Sequence, residues 1–503
     1  MREMPMKPLE NVKTRKVNIY EEANRCLLCQ DAPCTQACQT GDPARAIRAI
    51  RFDNHKPALQ WVKDCTDADL ERAEQACIHY NWHIRIKEML RSINPDDVDA
   101  TRYPSLNITF CGIPCENPFF LASSAVGTNY EMVARAFDAG WAGVFYKTIC
   151  MQEIEEVSPR FDAMHNNATH GDFYGFRNME QLSENPVEMD FDILRRLKQD
   201  YPTKVVIASI MGQTEEEWMK LAKMAEEAGC DAVELNFSCP QMKQTGMGSD
   251  VGQSPELVNL FTTCVKKSVK IPVIPKMTPN ITHIAEPAEA CVQAGADAIS
   301  AINTIKSVTM DVDATVSEQR TISGYSGRAV RPIALRHILE LAEMPQKVEL
   351  SGIGGIETWR DALEFIQLGC SNVQVCTAVM QYGYRIIDDL TLGLQRYMAK
   401  RNITHLQELV GEQLPSFLKP DHLDRETIIY PKFNKELCIG CGRCEISCND
   451  GGHQAIIFNH ETRQPRLLGN KCVGCHLCRL VCPAGAIGVM KRVKKILREN
   501  ARG

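Results

Sequence analysis

Two cysteine runs of identical spacing restrict this chain more than any other feature. Cys438-Ile439-Gly440-Cys441-Gly442-Arg443-Cys444-Glu445-Ile446-Ser447-Cys448 reads C-x2-C-x2-C-x3-C. The same spacing returns at Cys472, Cys475, Cys478 and Cys482, followed by Pro483. Such a duplication has a crossed logic: the first three cysteines of each run hold one [4Fe–4S] cube and the fourth belongs to the other. Cys438, Cys441, Cys444 and Cys482 are thus expected around one cluster, and Cys472, Cys475, Cys478 and Cys448 around a second. Paired zinc sites are the alternative, but zinc wants four ligands per ion and has no use for an interlocked repeat. Residues 431–503 read as a small ferredoxin-like domain carrying both clusters, behind a Pro- and charge-rich linker at 401–430. The basic tail Lys491–Arg502 reads as a solvated helix end.

The remaining cysteines fall into two groups. Of 23 in total, six lie in the first eighty residues and nine are scattered between Cys111 and Cys376. Clustered cysteines in a reducing compartment indicate metal or redox chemistry rather than disulfides. Residues 1–100 form a helical, Cys-rich segment in which Cys26, Cys29, Cys34 and Cys38 follow C-x2-C-x4-C-x3-C. That set suits a further iron–sulfur cluster, with zinc as the alternative. Asp67–Ile93, rich in helix formers and free of Gly and Pro, predicts one continuous helix.

A chain of 503 residues exceeds a single core. A net charge of -6 argues against nucleic acid as the main partner. No apolar run approaches a membrane span, and MREMPMKPLENVKTRK has no apolar signal core, so a cytoplasmic protein is expected.

Residues 101–400 alternate between strand and helix patterns. After a hairpin expected at Leu106–Phe110 with a turn through Gly112 and Pro114, eight strand candidates follow. They are Phe119–Ala122, Gly143–Lys147, Val205–Ser209, Val233–Phe237, Val273–Lys276, Ala298–Asn303, Val348–Gly352 and Val373–Cys376. Amphipathic stretches such as Glu215–Ala228, Pro255–Val269, Ile284–Ala294 and Thr358–Leu368 separate them. Two feed a strand through matching Ala-Gly-x-Asp-Ala phrases, at Ala228–Ala232 and Ala294–Ala298. Eight such units predict an α/β fold, a closed (β/α)8 TIM barrel, with an open doubly wound sheet as the rival.

A barrel does its chemistry at the carboxyl ends of its strands. The residues that fall there are Lys147-Thr148, Asn236 with Ser238 and Cys239, Lys276, Asn303-Thr304, Ser351–Ile356 and Cys376-Thr377. After Cys239 comes a loop with Gly246, Gly248 and Gly252, which reads as a lid over a reaction site; a buried Asn and an inert cysteine are the bland alternative. Gly352, Gly354 and Gly355 before one helix, and Cys376-Thr377 opening the next, offer backbone N–H groups to a phosphate. A phosphate there sets a cofactor ring over the barrel mouth, where Lys276 can neutralise an anionic reduced ring. That favours FMN over a phosphorylated substrate.

These residues carry a resemblance. Leu235–Pro240 (LNFSCP), Lys276–Asn280 (KMTPN), Ala301–Thr304 (AINT), Ser323–Arg336 (SGYSGRAVRPIALR), Ser351–Thr358 (SGIGGIET) and the two cysteine runs, within about 101–490, closely resemble the iron–sulfur, FMN-containing subunit of bacterial NAD-dependent dihydropyrimidine dehydrogenases. The barrel alone resembles dihydroorotate dehydrogenase. The resemblance implies that Cys239 protonates C5 of a pyrimidine while reduced FMN gives hydride to C6. It implies that Asn178, Asn236, Asn303 and Thr304 hydrogen-bond the ring, and that Lys147, Thr148 and Lys276 contact the flavin. Ala122, Ser123, Gly355, Cys376 and Thr377 would lie around its ring or phosphate. The chemistry fits. A thiol with an ordinary pKa of about 8.5 is protonated at neutral pH and can still give its proton up. Amide side chains suit a flat ring with donor and acceptor edges.

The N-terminal segment resembles, more loosely, the cluster-bearing entry region of the same enzyme's other subunit and of the glutamate synthase small subunit. No G-x-G-x-x-G follows a strand, so FAD and NAD(P)H are expected on a partner chain in a hetero-oligomer that feeds electrons in through the clusters. The expected reaction is reduction of the 5,6 bond of uracil or thymine. The rivals are chemistry on dihydroorotate or another cyclic amide, and an electron-carrying subunit with a silent barrel.

Overall fold

A computed structural model describes residues 18–93, 103–165, 173–239, 248–309 and 321–495. Eight parallel strands close a barrel: β1 (Phe119–Leu121), β2 (Gly143–Phe145), β3 (Val205–Met211), β4 (Ala232–Asn236), β5 (Val273–Lys276), β6 (Ala298–Ala301), β7 (Glu349–Ile353) and β8 (Cys370–Val375). Each pairs with its sequence neighbour, and β8 returns to β1 to complete the ring. All but Glu349 of these residues are buried, as strands covered on both faces must be. The open-sheet rival is thereby excluded. Register levels the strand ends, since Lys276 pairs with Asn236 and Ala301 with Gly352, and so gathers their side chains at one rim.

The repeated Ala-Gly-x-Asp-Ala phrase has a physical basis. Gly229 (φ +82°) and Gly295 (φ +94°) end the helices Glu215–Glu227 and Ala285–Gln293 in the left-handed conformation. The following aspartate then folds back onto the neighbouring strand. Asp231 Oδ2 accepts from Val206 N at 2.8 Å and Asp297 Oδ2 from Val273 N at 2.7 Å. Asp231 also binds Lys198, and Asp297 binds Lys266. Other helix starts are held by their own caps, Thr214, Ser254 and a full capping box at Thr358 with Asp361.

A four-stranded antiparallel sheet is the addition that periodicity did not reveal. It runs Ile305–Ser307, Ser323–Ser326, Phe173–Asn178, Phe161–His165 and carries Asn178.

The N-terminal segment has its own apolar core, built around Ile47, Ile50, Leu70, Met89 and Leu90. The single helix expected at Asp67–Ile93 is two, Asp67–Gln75 and Ile86–Arg91, with a loop between. Helix propensity alone hid that break, because Cys77 leaves the helix to join other cysteines. The segment docks on the barrel through Arg48 and Asp389 (2.6 Å), Arg51 and Tyr382, and Asn54 to the Asp389 carbonyl.

The chain divides into two compact units at Leu414/Pro415. In the second, Pro431–Phe433 pairs with Ile487–Val489 and Ile456–Asn459 with Gln464–Leu467, with helices at Arg443–Gly451 and Leu477–Leu480. Val493–Lys494 form a strand against Thr427–Ile428 instead of the expected helix end, and residues 496–503 lie outside the described ones. Among the described residues no helix is long and apolar enough to cross a membrane.

Candidate active site

One cavity sits at the carboxyl ends of the strands, with roughly 1090 Å³ of empty space, mouth included. This is the place of a cofactor site on a barrel. Most of the barrel residues singled out above line it; Ser238, Ser351 and Gly352 are buried behind the wall instead. Cys239 and Asn236 come from the end of β4, Lys276 from β5, Asn303 and Thr304 from beyond β6, and Asn178 from the added sheet. Lys147 and Thr148 enter from beyond β2. Ala122 and Ser123 follow β1, Gly355 follows β7, and Cys376 and Thr377 follow β8.

Local sequence explains how β4 presents its residues. Phe237 is fully buried beside Trp218 and Phe261, with ring centroids 5.2 and 6.5 Å away. That aromatic anchor pins the strand end on the helix side, and Asn236 and Cys239 reach the cavity. Pro240 and Gly246, and with them most of the expected lid, lie outside the described residues.

The polar side chains form a continuous array. Asn236 Nδ2 donates to Thr148 Oγ1 (2.8 Å), while Asn236 Oδ1 accepts from Ser238 N (3.1 Å) and Ser238 Oγ (2.9 Å). Asn303 Nδ2 donates to Ser238 Oγ at 2.8 Å. The two asparagines are therefore held through one serine.

Among the described residues each cation on the cavity wall faces an anion. Lys147 Nζ lies 2.7 Å from Glu180, with Glu156 at 3.9 Å, and Lys276 Nζ lies 3.5 Å from Glu234. Burial, the largest influence on Glu156, pushes its carboxyl above the usual range. Arg328, also on the wall, faces Glu357 at 4.0 Å. Sequence reasoning missed Glu180, Arg328 and the buried Glu234. Glu180 stands two residues beyond Asn178, so its proximity in sequence was the available signal.

A phosphate-bearing flavin fits this wall. Gly355 adopts φ +75°, and a Cβ there would meet the Gly327 carbonyl at 2.8 Å, so only glycine allows this loop to turn so tightly beside the cavity. Lys276 and Arg328 stand on the same wall, each facing a carboxylate.

The C-terminal unit contains a second kind of cavity. Cys438, Cys441, Cys444 and Cys482 line one pocket of ≈ 370 Å³, which is the crossed set. Backbone N–H groups aim at sulfur: Ala486 N lies 3.3 Å from Cys482 Sγ, Ala455 N 3.3 Å from Cys448 Sγ and Gly474 N 3.4 Å from Cys472 Sγ. Such donors suit thiolate ligands.

The N-terminal segment has a near copy, of ≈ 380 Å³, lined by Cys26, Cys29, Cys34 and Cys77. Ile84 N lies 3.4 Å from Cys77 Sγ. Burial pushes the Cys34 thiol up to about 12, so a thiolate there needs a cation to hold it. The expected fourth ligand, Cys38, is elsewhere, 3.4 Å from Cys65 Sγ. The helix Pro33–Ala37 carries Cys34 but ends before Cys38, whose extended conformation (φ -93°, ψ 114°) swings it away. Among the described residues no three His, Cys, Asp or Glu side chains close on a single ion. A four-iron cube is a larger body and holds its thiolates further apart.

Comparison with known proteins follows this geometry. Residues 105–398 match the dihydroorotate dehydrogenase family, and residues 432–489 match the 4Fe-4S dicluster domain. The chain is 52% identical over 390 residues to the NAD-dependent dihydropyrimidine dehydrogenase subunit PreA of Escherichia coli (strain K12), covering 76% of this chain and 94% of that one. It is 39% identical over 336 residues to the chloroplastic dihydropyrimidine dehydrogenase (NADP(+)) of Arabidopsis thaliana, covering 63% and 79%. With the catalytic subunit of dihydroorotate dehydrogenase B (NAD(+)) of Pyrococcus abyssi it shares 38% over 308 residues, covering 61% and 98%. Neither family match reaches the N-terminal cysteines. A barrel, a rim and a dicluster domain so matched make this chain a member of the dihydroorotate dehydrogenase family, in its dihydropyrimidine dehydrogenase branch.

Proposed function

We propose that the chain reduces the 5,6 double bond of uracil or thymine in the barrel cavity. The observation that carries this reading is a thiol, Cys239, sharing one pocket with amide and hydroxyl edges and with Lys276. FMN, held by Lys147, Thr148, Lys276 and the Ala122-Ser123, Gly355 and Cys376-Thr377 walls, supplies hydride when bound. The rest is work for the side chains. Asn178, Asn236, Asn303 and Thr304 bind and orient the ring through its amide edges. Cys239 Sγ holds the proton destined for C5.

The cations argue for a neutral ring over dihydroorotate. Lys147, Lys276 and Arg328 already face Glu180, Glu234 and Glu357. A substrate carboxylate would have to compete with each of them, whereas uracil brings no charge.

Electrons reach this chain, in our reading, through its clusters from an FAD- and NAD(P)H-binding partner subunit, in the cytoplasm. The E. coli relative is itself named a subunit of an NAD-dependent enzyme. The two C-terminal cubes take Cys438, Cys441, Cys444 and Cys482, and Cys472, Cys475, Cys478 and Cys448. A third takes Cys26, Cys29, Cys34 and Cys77. In anaerobically purified protein, Cys77→Ser should lose about four irons per chain and Cys38→Ser none. Equal iron in both variants would remove the third cluster from the proposal.

The function itself is tested by mixing the full chain, reduced and loaded with FMN, with uracil under anaerobic conditions. Reoxidation of the flavin spectrum, with dihydrouracil as product, is expected. Reoxidation by orotate in place of uracil would favour the dihydroorotate reading.

A further inference from the structure

Beneath the flavin-facing lysine lies a carboxylate that the reaction above does not use. Glu234 is fully buried inside the barrel. Its Oε1 accepts from Ser209 Oγ at 2.8 Å and faces Lys276 Nζ at 3.5 Å; its Oε2 accepts from Ser300 Oγ at 3.0 Å. Gln374 Nε2 donates to Ser300 Oγ (2.9 Å) and Ser351 Oγ (2.8 Å), closing the layer. A buried carboxylate costs much unless it is both paired and hydrogen-bonded, and here both conditions are met.

Counting hydrogens along the array gives it a direction. A carboxylate only accepts, so the single Ser209 hydroxyl hydrogen goes to Glu234. Thr148 lies 2.9 Å from Ser209 Oγ and 3.1 Å from Ser123 Oγ; the shorter contact is made only if Thr148 donates to Ser209, so Ser123 donates to Thr148, whose remaining capacity is to accept. It accepts from Asn236 Nδ2, which turns Asn236 Oδ1 towards Ser238. Ser238 spends its hydrogen on Asn236 and therefore accepts from Asn303 Nδ2. Asn303 Oδ1 is left to Thr304 N, 2.7 Å away. The backbone N–H of Ser238 fixes Asn236 the same way round, so carboxylate and backbone agree.

We propose that Glu234 is a positioning residue for both halves of the site: it sets the donor–acceptor polarity of the Ser209–Thr148–Asn236–Ser238–Asn303 array that meets the substrate, and it sets the charge balance at Lys276 beneath the flavin. The substrate half rests on the substrate proposed above; the flavin half rests only on FMN lying against Lys276.

The test uses the full-length holoenzyme. Glu234→Gln removes a negative charge beside Lys276, which leaves more positive charge for an anionic reduced flavin, so the FMN midpoint potential should rise. The amide also cannot accept from two serines and face Lys276 as the carboxylate does, so KM for uracil should increase about tenfold, or about 1.4 kcal/mol. Ser209→Ala cuts the array but leaves Glu234 facing Lys276. It should raise KM for uracil several-fold, with kcat changed less and the potential at the wild-type value. An unchanged potential in Glu234→Gln, or a wild-type KM in Ser209→Ala, overturns the proposal. If Glu234→Gln does not fold, Ser209→Ala decides alone. A wild type indifferent to uracil would sink the proposed function, while the potential of Glu234→Gln still judges the role of Glu234.

Discussion

Replacing Cys239 with alanine should lower uracil turnover by about 10²–10⁴, the range that a positioned general acid contributes. FMN content and iron content should stay at wild-type levels. The reasoning separates binding from chemistry. In the proposed site the ring is held by Asn178, Asn236, Asn303 and Thr304, side chains distinct from the sulfur that line the same cavity. Asn236 and Asn303 are locked through Ser238, so truncating the neighbouring side chain leaves the array standing. KM should therefore move little while kcat falls, the signature of an interaction made only in the transition state. Serine at 239 should not rescue the variant, because a hydroxyl holds its proton far more tightly than a thiol does. Reduction of the flavin through the clusters should persist, since no part of that route needs Cys239. Steady-state rates, together with anaerobic flavin reduction, read out all three effects. Turnover within tenfold of wild type in Cys239→Ala would return the thiol to the status of a core residue.

The barrel was legible because a parallel strand buried on both faces leaves a largely apolar run, and because polar residues end those runs. Each of the eight expected strands forms within a few residues of its expected place. The rim followed from the strands, since register alone levels Asn236 with Lys276. The dicluster domain was legible from spacing, which encodes which thiols can meet.

What stayed hidden depends on contacts between distant segments. Cys77 lies far along the chain from Cys26, and the good helix formers around it pointed to a continuous helix. Only the fold shows that the loop after Gln75 carries it back to the cavity. Cys38 erred the other way: a spacing of four suggests one helical face, but the helix stops at Ala37. Glu234 sits within an apolar run, Ala232-Val233-Glu234-Leu235, where nothing local announces Ser209, Ser300 and Lys276 converging on it from three other strands. A residue that works through its neighbours has no motif of its own.

One buried ion pair joins the N-terminal segment to the barrel alongside the Arg51–Tyr382 and Asn54–Asp389 hydrogen bonds, and removing one partner should have a large effect on stability. Asp389 is buried on the helix Ile387–Lys400 and accepts from Arg48 Nε at 2.6 Å. Burial pushes its carboxyl up to about 6 even with the Arg48 guanidinium opposing the shift, so the charge is held there against a desolvation cost. A pair of this kind adds little net stability over apolar residues, but each partner becomes expensive once alone. Asp389→Ala should destabilise the N-terminal segment by about 3–5 kcal/mol, because Arg48 is left buried without its carboxylate. Asp388 can compensate only in part, since it is half exposed and 3.5 Å from Arg48 Nη2. Denaturant unfolding and limited proteolysis should show the segment released before the barrel unfolds. The decisive control is Arg48→Met combined with Asp389→Leu, which removes both charges and keeps the volume filled. That double variant should recover most of the loss. If it is as unstable as Asp389→Ala, the damage comes from packing around the Ile387–Lys400 helix, and the ion pair is not what holds the segment to the barrel.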